Sequence, residues 1–412
     1  MAERLKNWAG NIEFGPARVH RPETVEQVQR IVAGAARARV LGTGHSFNPI
    51  ADTPGDLISV AGLPADIRID RERGTVSVAG GVRYGELARE LDAAGYALHN
   101  LGSLPHISVA GAVATATHGS GVGLGNLATA VAGVEIVTGG GELVSLGRGD
   151  ADFPGSVVAL GALGVVVRVT LDVVPAYQVS QHVFERLPRA QLDAHWEEIA
   201  GAGYSVSLFT GWRGDTVDQV WIKRREGDAP APAELFGAGP AAGARHPIAA
   251  MSPVNCTEQG GVPGPWHARL PHFRLEFTPS AGDELQSEYF VARADAVAAF
   301  AAVERVRDLV VPALQISEIR TVAADGLWLS PHYERDSVAL HFTWVPNNDL
   351  VLRAVEALEA ELAPLGARPH WGKVFRRAPR LPRTSDFVAL AERLDPRGTF
   401  RNAFVERHVW AE

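Results

Sequence analysis

Residues 41–48 read LGTGHSFN, and residues 103–126 read SLPHISVAGAVATATHGSGVGLGN. Both stretches are rich in glycine, which allows positive φ angles and lets successive main-chain N–H groups point at an anion. Neither fits GxGxxG followed by a helix, and no Lys-Ser/Thr pair follows the glycines as in a P-loop. Small side chains bury little area, so the pattern favours a dinucleotide lying between two small subdomains. Tight turns in a β-rich domain are the alternative that these residues leave open.

The composition is that of a globular protein with hydrophobic cores. Of the 412 residues, 46% are hydrophobic and 21% charged, and the net charge is −8. This charge disfavours nucleic acid and anionic membranes as partners, because both select a basic face. The single cysteine, Cys256, excludes an intrachain disulfide and a cysteine-based zinc site, and no metal is expected. No segment approaches the roughly 20 apolar residues of a membrane helix, so we expect a soluble, monomeric, cytoplasmic protein.

The order of short strands and helices predicts an α+β protein. Thr24 is expected to cap a first helix, with Gln27 completing a capping box. Glycine thins after Pro175, and tryptophan and histidine become frequent, which indicates a second domain with a mixed or antiparallel sheet and helices. Strands are predicted at residues 38–41, 57–60, 67–69, 75–78, 134–137, 143–146, 165–174, 273–277, 288–291, 315–321 and 337–345. The other predicted helices occupy residues 84–94, 292–309 and 349–362.

Several motifs together resemble one flavoprotein family. The chain carries GTGHS at 42–46, THGSG at 117–121 and GALGVV at 161–166. This order resembles the vanillyl-alcohol-oxidase type of FAD-binding flavoprotein. Within that type the chain is similar to the alditol oxidases, through NWAGN at 7–11, VNCTEQGGVPGPWHARLPHFR at 254–274, SEIRTVAAD at 317–325, HFTW at 341–344 and RPHWGK at 368–373.

The resemblance implies a two-domain fold. Residues 1–176 would bind FAD with two small α/β subdomains, and residues 177–372 would form the substrate domain. Residues 373–412 would return to the FAD domain. The similarity runs from about residue 6 to residue 405, over nearly the whole chain.

The resemblance also implies FAD bound through one covalent bond, from a ring nitrogen of His45 to the flavin 8α-methyl carbon. A neutral imidazole is nucleophilic near neutral pH, which suits that bond. Cys256 lies far from residues 101–106, where some relatives form a second link. A histidine that only hydrogen-bonds in the turn is the alternative. The implied cofactor-binding residues are Leu41, Gly42, Thr43, Gly44, His45, Ser46, Gly102, Ser103, Ser108, Gly111, Ala112, Thr115, Thr117, His118, Gly119, Gly164, Val165 and Asn402.

Four of the residues that the resemblance assigns to the substrate form two pairs, and the members of each pair are two positions apart in the sequence. Glu318 and Arg320 share one face of a predicted strand, and His341 and Thr343 share one face of another. A polar ligand would account for such a face, and a solvated sheet surface is the alternative. The implied substrate-binding residues are Ser103, Glu318, Arg320, His341, Thr343 and Lys373, of which Arg320, Lys373 and Glu318 are catalytic.

The implied reaction oxidises the terminal primary alcohol of an alditol, such as xylitol or sorbitol, to the aldose. Hydride would pass to flavin N5, and O2 would be reduced to H2O2. Arg320 and Lys373 would stabilise developing negative charge, and either a lysine of lowered pKa or a water would accept the hydroxyl proton. A sugar-lactone oxidase or dehydrogenase is the second interpretation, and a flavin-binding protein without turnover is the third.

The sequence also gives expectations for several single positions. Gly102 precedes Ser103, and the lack of a Cβ there favours access of oxygen and thus an oxidase. Ser120 is expected in the pyrophosphate loop beside His118, and His106 is ambiguous. The remaining histidines, His267, His272 and His332, lack metal-ligand spacing and are expected to be structural or solvent-facing.

Overall fold

The first half of the chain forms three small sheets, of three, five and two strands, the last being an antiparallel pair of Tyr96–Ala97 and Val174–Pro175. The structure, a computed structural model, describes residues 5–277 and 284–411. β1, β3 and β2 run parallel in that order, and β4, β5, β9, β7 and β8 form an antiparallel sheet. The elements are β1 Arg18–His20, α1 Val25–Gly34, β2 Ala38–Leu41, β3 Asp56–Ser59, β4 Ile67–Asp70, β5 Thr75–Ala79, α2 Tyr84–Ala93, β6 Tyr96–Ala97, α3 Val109–Ala114, β7 Val131–Thr138, β8 Leu143–Gly147, α4 Phe153–Val157, β9 Gly164–Asp172 and β10 Val174–Pro175.

The second half forms one large antiparallel sheet with helices on one face. Its strands lie in the order β14-β11-β13-β12-β17-β18-β16-β19, with β15 beside β11. Side chains of α7 and α9 bury the apolar face, which leaves the other face free to carry polar groups. The elements are β11 Gln178–Pro188, α5 Arg189–Ala194, α6 Trp196–Ala200, β12 Ser205–Thr210, β13 Thr216–Arg225, β14 Gly239–Pro240, β15 Gly264–Pro265, β16 Leu285–Ala292, α7 Ala296–Arg305, α8 Arg307–Val310, β17 Leu314–Val322, β18 Ser337–Trp344, α9 Asn348–Leu362, β19 Arg368–Pro369, α10 Thr384–Leu394 and α11 Ala403–Val405.

The first helix shows how the sequence sets a local boundary. The Thr24 side chain accepts a hydrogen bond from the Gln27 main-chain N–H, which caps α1 as predicted. The Gln27 side chain accepts from the N–H of Glu23 instead of the cap residue, so the box is shifted by one residue. Val28 and Val32 are fully buried, and each stabilises the fold by about 1.5–3 kcal/mol through its burial.

The last 30 residues or so pack back onto the first half. Phe387 and Leu390 of α10 share a core with Val157 of α4. The main-chain N–H of Ala38 in β2 donates to the carbonyl of Thr399, 2.7 Å away. The domain boundaries at residues 176 and 372 stay a prediction. Within residues 5–277 and 284–411, no helix is long and apolar enough to cross a membrane.

Two predicted elements differ in the structure. Residues 273–277 were expected to form a strand, but only Phe273 pairs, in an isolated bridge with Cys256. The preceding main-chain N–H, of His272, instead donates to the carbonyl of Ser103, and the segment joins none of the sheets. The helix predicted over residues 292–309 is broken into a 3-10 turn, α7 and α8, while β11, β12 and β13 had no predicted counterpart.

Candidate active site

A cavity of about 450 Å³ joins the two glycine-rich segments to the polar face of the large sheet. All of the substrate-binding residues implied by the sequence line this cavity, and most of the cofactor-binding ones do. From the predicted sets, the lining residues are Leu41, Gly42, Thr43, Gly44, His45, Ser46, Gly102, Ser103, Ser108, Gly111, Ala112, Thr115, Thr117, His118, Gly164, Glu318, Arg320, His341, Thr343 and Lys373.

Three residues predicted to bind the cofactor do not line the cavity. A Cβ at Gly119 would lie 2.3 Å from Asn100 Oδ1, so this glycine permits a close approach inside the protein. Val165 is fully buried in a core, because its two neighbours in β9 face the cavity and side chains alternate along a strand. The Asn402 amide donates to the carbonyls of residues 49, 50 and 52, so it supports the wall from behind.

His45 lies at the cavity wall, directly after a glycine of the first glycine-rich segment. Gly44, immediately before it, has a φ of +71°, the left-handed region that favours glycine. The imidazole stacks on Trp8 with ring centroids 5.3 Å apart. Burial lowers the pKa of His45 to about 4, so the ring is neutral near pH 7. Its buried Nδ1 has no hydrogen-bond partner among the described residues, which leaves this atom available to a cofactor.

The loop that carries His45 also holds the segment that carries Lys373. Asn48 donates through its amide to the carbonyls of Trp371 and Lys373, each 2.7 Å away. The main-chain N–H of Phe47 donates to the carbonyl of Gly372 at the same distance. The first motif therefore has a second role, because it fixes residues 371–373 at the cavity wall.

Polar side chains cross three neighbouring strands of the large sheet in one row. Glu318 on β17 lies opposite His341 on β18, which lies opposite Glu288 on β16. The side-by-side placement predicted for the Glu318 and His341 strands is therefore found. The three side chains are 1–8% exposed, so the alternative of a solvated sheet face does not apply.

Arg320 joins the two carboxylates. Its Nη2 lies 2.6 Å from Glu288 Oε1, its Nε lies 3.5 Å from Glu318 Oε1, and Nη1 donates to Ser103 Oγ. Burial alone would raise the pKa of each carboxyl, but His118 and Arg320 hold the pKa of Glu288 well below its usual value. Arg320 does the same for Glu318, so both carboxylates are ionised.

A second polar group surrounds Gln286 on β16. The Lys373 ammonium donates to Gln286 Oε1, and His341 Nε2 lies 3.2 Å from the same oxygen. Burial lowers the pKa of Lys373 to about 8, and it lowers that of His341 to about 3. The wall thus presents a neutral imidazole, an amide and a lysine that titrates near neutral pH.

The sequence interpretation missed two residues of the site and misplaced a third. The two missed residues are Gln286 and Glu288, which lie two residues apart on β16, as the polar pairs on β17 and β18 do. The sequence LQSEYFVA of residues 285–292 already showed this alternation. His272 was expected to be structural or solvent-facing, but it lines the cavity with Nε2 2.7 Å from Glu318 Oε1. His118, placed by the resemblance at the cofactor, lies 3.1 Å through Nε2 from Glu288 Oε1.

His106 and Ser120 have hydrogen-bond partners inside the protein. His106 Nε2 lies 2.9 Å from the carbonyl of Leu275, and the Ser120 hydroxyl donates to the carbonyl of Val206. His332 is fully buried, consistent with a structural role.

Comparison with known proteins identifies the family. A family model described as a FAD binding domain matches residues 16–147, and one described as D-arabinono-1,4-lactone oxidase matches residues 286–408. The alditol oxidase of a Streptomyces species is 53% identical over 98% of this chain and 99% of its own. The L-gulono-1,4-lactone dehydrogenase of Mycobacterium tuberculosis is 30% identical over 99% of each chain.

The fold is also found among solved structures. Cholesterol oxidase from B. sterolicum matches with a TM-score of 0.77 at 15% identity, over 98% of this chain and 96% of that one. This likeness confirms the predicted two-domain α+β fold, and the FAD-binding model over residues 16–147 agrees with the cavity around His45. The chain therefore belongs to the alditol oxidase family of FAD-dependent oxidoreductases.

Proposed function

We propose that this protein oxidises the terminal primary alcohol of an alditol, such as xylitol or sorbitol, to the aldose and reduces O2 to H2O2. The observation that carries the proposal is the buried polar face formed by Gln286, Glu318, Arg320, His341 and Thr343. Carboxylate, amide, imidazole and hydroxyl groups are the partners that a chain of hydroxyls requires. Their spacing over neighbouring strands suits several hydroxyls in a row.

FAD would be held by the two glycine-rich segments and attached at His45. The chemistry that bound FAD would supply is that of a hydride acceptor for the alcohol carbon and an electron donor to oxygen, while the protein would supply placement. The orphaned Nδ1 of His45 and the positive φ of Gly44 support this assignment. One bond is proposed, because Cys256, the single cysteine of the sequence, is buried in a core with Trp221 and does not line the cavity.

Each residue of the polar face would bind or orient the alcohol. Glu318, His341 and Thr343 would hold the hydroxyls that do not react, and Ser103 would add a contact from the opposite wall. Arg320 would stabilise the developing alkoxide, since a preorganised cation in a buried site needs no rearrangement as charge appears. Lys373 would accept the hydroxyl proton.

A substrate panel tests this function. The purified protein should release peroxide with xylitol and sorbitol, at a kcat/KM well above that for L-gulono-1,4-lactone. A lactone preference would replace the proposal with sugar-lactone oxidation, the alternative that the family model over residues 286–408 brings. Purified protein that is not reduced by any polyol or lactone would support a flavin-binding protein without turnover.

The proposed role of Lys373 predicts a pH dependence. Because burial lowers the Lys373 pKa to about 8, its neutral, proton-accepting form grows as pH rises toward that value. We expect kcat/KM for xylitol to rise about tenfold per pH unit below pH 8 and to level above it. Lys373→Met and Lys373→Arg should both lose this rise, since neither side chain can take up a proton there. A wild-type kcat/KM that falls through pH 8 would contradict the base role.

Gly102 bears on the use of oxygen. It lines the cavity, and an added Cβ would meet no heavy atom of the described residues nearer than 3.7 Å. Gly102→Ala is therefore expected to fold normally, and Gly102→Val to fill more of the same space. Both should slow reoxidation of the reduced enzyme by O2 and leave anaerobic reduction by xylitol unchanged, in stopped-flow measurements of the two half-reactions. Equal slowing of both half-reactions would sink this idea.

We propose a cytoplasmic monomer, on the grounds of the single buried cysteine and the absence of a long apolar segment from the sequence.

A further inference from the structure

A line of buried side chains continues from Glu318 into the interior of the sheet. His272 Nε2 lies 2.7 Å from Glu318 Oε1, and on the other side of the ring Nδ1 lies 3.2 Å from Lys223 Nζ. Lys223 is on β13, which is separated from β17 by one strand, and it is 1% exposed. It does not line the cavity, so it would not touch a substrate.

The contacts of Lys223 decide which nitrogen of His272 carries the proton. An ammonium group has only donors, and Lys223 gives one N–H to the carbonyl of Leu270 and another to His272 Nδ1. While Lys223 is protonated, Nδ1 can only accept this bond, so the proton of the neutral ring is on Nε2, where the ionised Glu318 carboxylate also requires it. The Nε2–H group then donates to the carboxylate of Glu318, as the 2.7 Å separation requires.

Packing and hydrogen bonds hold the imidazole ring of His272 in this orientation. Trp221 and Phe209 contact it edge-on, with centroids 5.3 and 5.5 Å away. The main-chain N–H of His272 donates to the carbonyl of Ser103, which ties the same residue to the opposite wall of the cavity. With the proton on Nδ1, the Nε2 lone pair would face the Glu318 carboxylate, and both groups would lack a donor.

The burial of Lys223 is energetically unfavourable. A buried ammonium is unfavourable unless it is paired with an anion. Lys223 is buried, and no carboxylate of residues 5–277 and 284–411 forms an ion pair with it within 4 Å. Burial lowers the Lys223 pKa to about 7. This unfavourable burial is consistent with a role for Lys223 as a hydrogen-bond donor, which an apolar side chain could not fill.

We propose that Lys223 is a positioning residue that fixes the Nε2–H tautomer of His272 and thereby holds the Glu318 carboxylate ready to receive a substrate hydroxyl. The part that concerns substrate rests on the proposed function, and the part that concerns the tautomer does not. Lys223, His272 and Glu318 thus act in series, with only the carboxylate required at the substrate itself.

The test combines the tautomer with the kinetics. In the FAD-loaded protein carrying 15N-labelled histidine, the His272 ring signals, assigned by their loss in His272→Gln, should show the Nε2–H tautomer. In Lys223→Met they should shift toward a mixture of tautomers. The same variant should lose about tenfold or more in kcat/KM for xylitol, mainly through a higher KM, as happens when a group that orients a ligand is removed.

Two further variants distinguish a loss of the hydrogen bonds that position Glu318 from a general loss of core packing. His272→Gln can still donate from its amide nitrogen and accept at its amide oxygen, so it should keep most of the activity. His272→Phe keeps the aromatic packing and loses both bonds, so it should match Lys223→Met. The control is Tyr289→Phe, which removes a buried hydrogen bond to Glu359 on the other face of the sheet and should leave KM unchanged.

Several results would overturn the proposal. These are a wild-type His272 with its proton on Nδ1, an unchanged tautomer in Lys223→Met, or a loss of kcat/KM no larger than in Tyr289→Phe. If Lys223→Met does not fold, the His272 variants decide: equal activity in His272→Gln and His272→Phe would overturn the proposal. If the enzyme oxidises no alditol, the proposed function fails, and the tautomer comparison still decides whether Lys223 sets the state of His272.

Discussion

An Arg320→Met variant is expected to lose about 10²- to 10³-fold in kcat, the effect of removing one preorganised donor from a site of charge development. Arg320 reaches Glu288, Glu318 and Ser103 at once, so no neighbour can replace it. The same change leaves two buried carboxylates without their cation. Breaking a buried ion pair in this way should lower the free energy of unfolding by about 3–5 kcal/mol. Steady-state kinetics with xylitol and urea unfolding measure the two effects.

The matched control is Arg320→Lys. It keeps the positive charge near Glu288 and Glu318 but lacks the planar fork that bridges them. Most of the stability should return, while kcat should stay well below the wild-type value. The account of Arg320 is wrong if Arg320→Met turns over xylitol within a few-fold of the wild-type rate.

A His45→Ala variant is expected to lose the covalent attachment of FAD completely. After acid precipitation, the yellow colour should stay in the pellet for the wild-type protein and appear in the supernatant for the variant. On the proposed attachment, a ring nitrogen of His45, which is neutral near pH 7, would be the nucleophile for the bond, and alanine has none.

His106→Gln is the control for the loss of a nearby histidine. His106 Nε2 is occupied by the carbonyl of Leu275, so this variant should still retain colour in the pellet. Wild-type colour in the supernatant, or a yellow pellet from His45→Ala, would contradict the attachment at His45 and leave the fold assignment intact.

The site residues on the large sheet were implied by the family resemblance, and their spacing along the strands agrees with it. Glu318 and Arg320, and His341 and Thr343, are two residues apart, and alternation in strands places such pairs on one face. The structure pairs β17 with β18 so that Glu318 lies opposite His341. The pairing of strands far apart in the chain is not a local property, and it was inferred only from the polar pattern.

The parts that were missed depend on contacts between distant segments. Glu288 is 32 residues from Arg320, and its charge is explained only by the fold that joins them. His272 lies in an irregular segment, where no periodicity shows which way a side chain points. Val165 was assigned to the cofactor by its place in a motif, although alternation along β9 turns it into the core.

The most direct measurement is to add xylitol to the purified yellow protein in the absence of oxygen and to follow the visible absorbance of the flavin. We predict that the colour bleaches rapidly and that readmitting oxygen restores it with release of one equivalent of hydrogen peroxide. A flavin that stays oxidised with every alditol, or that bleaches only with a sugar lactone, would contradict the assignment of this protein as an alditol oxidase.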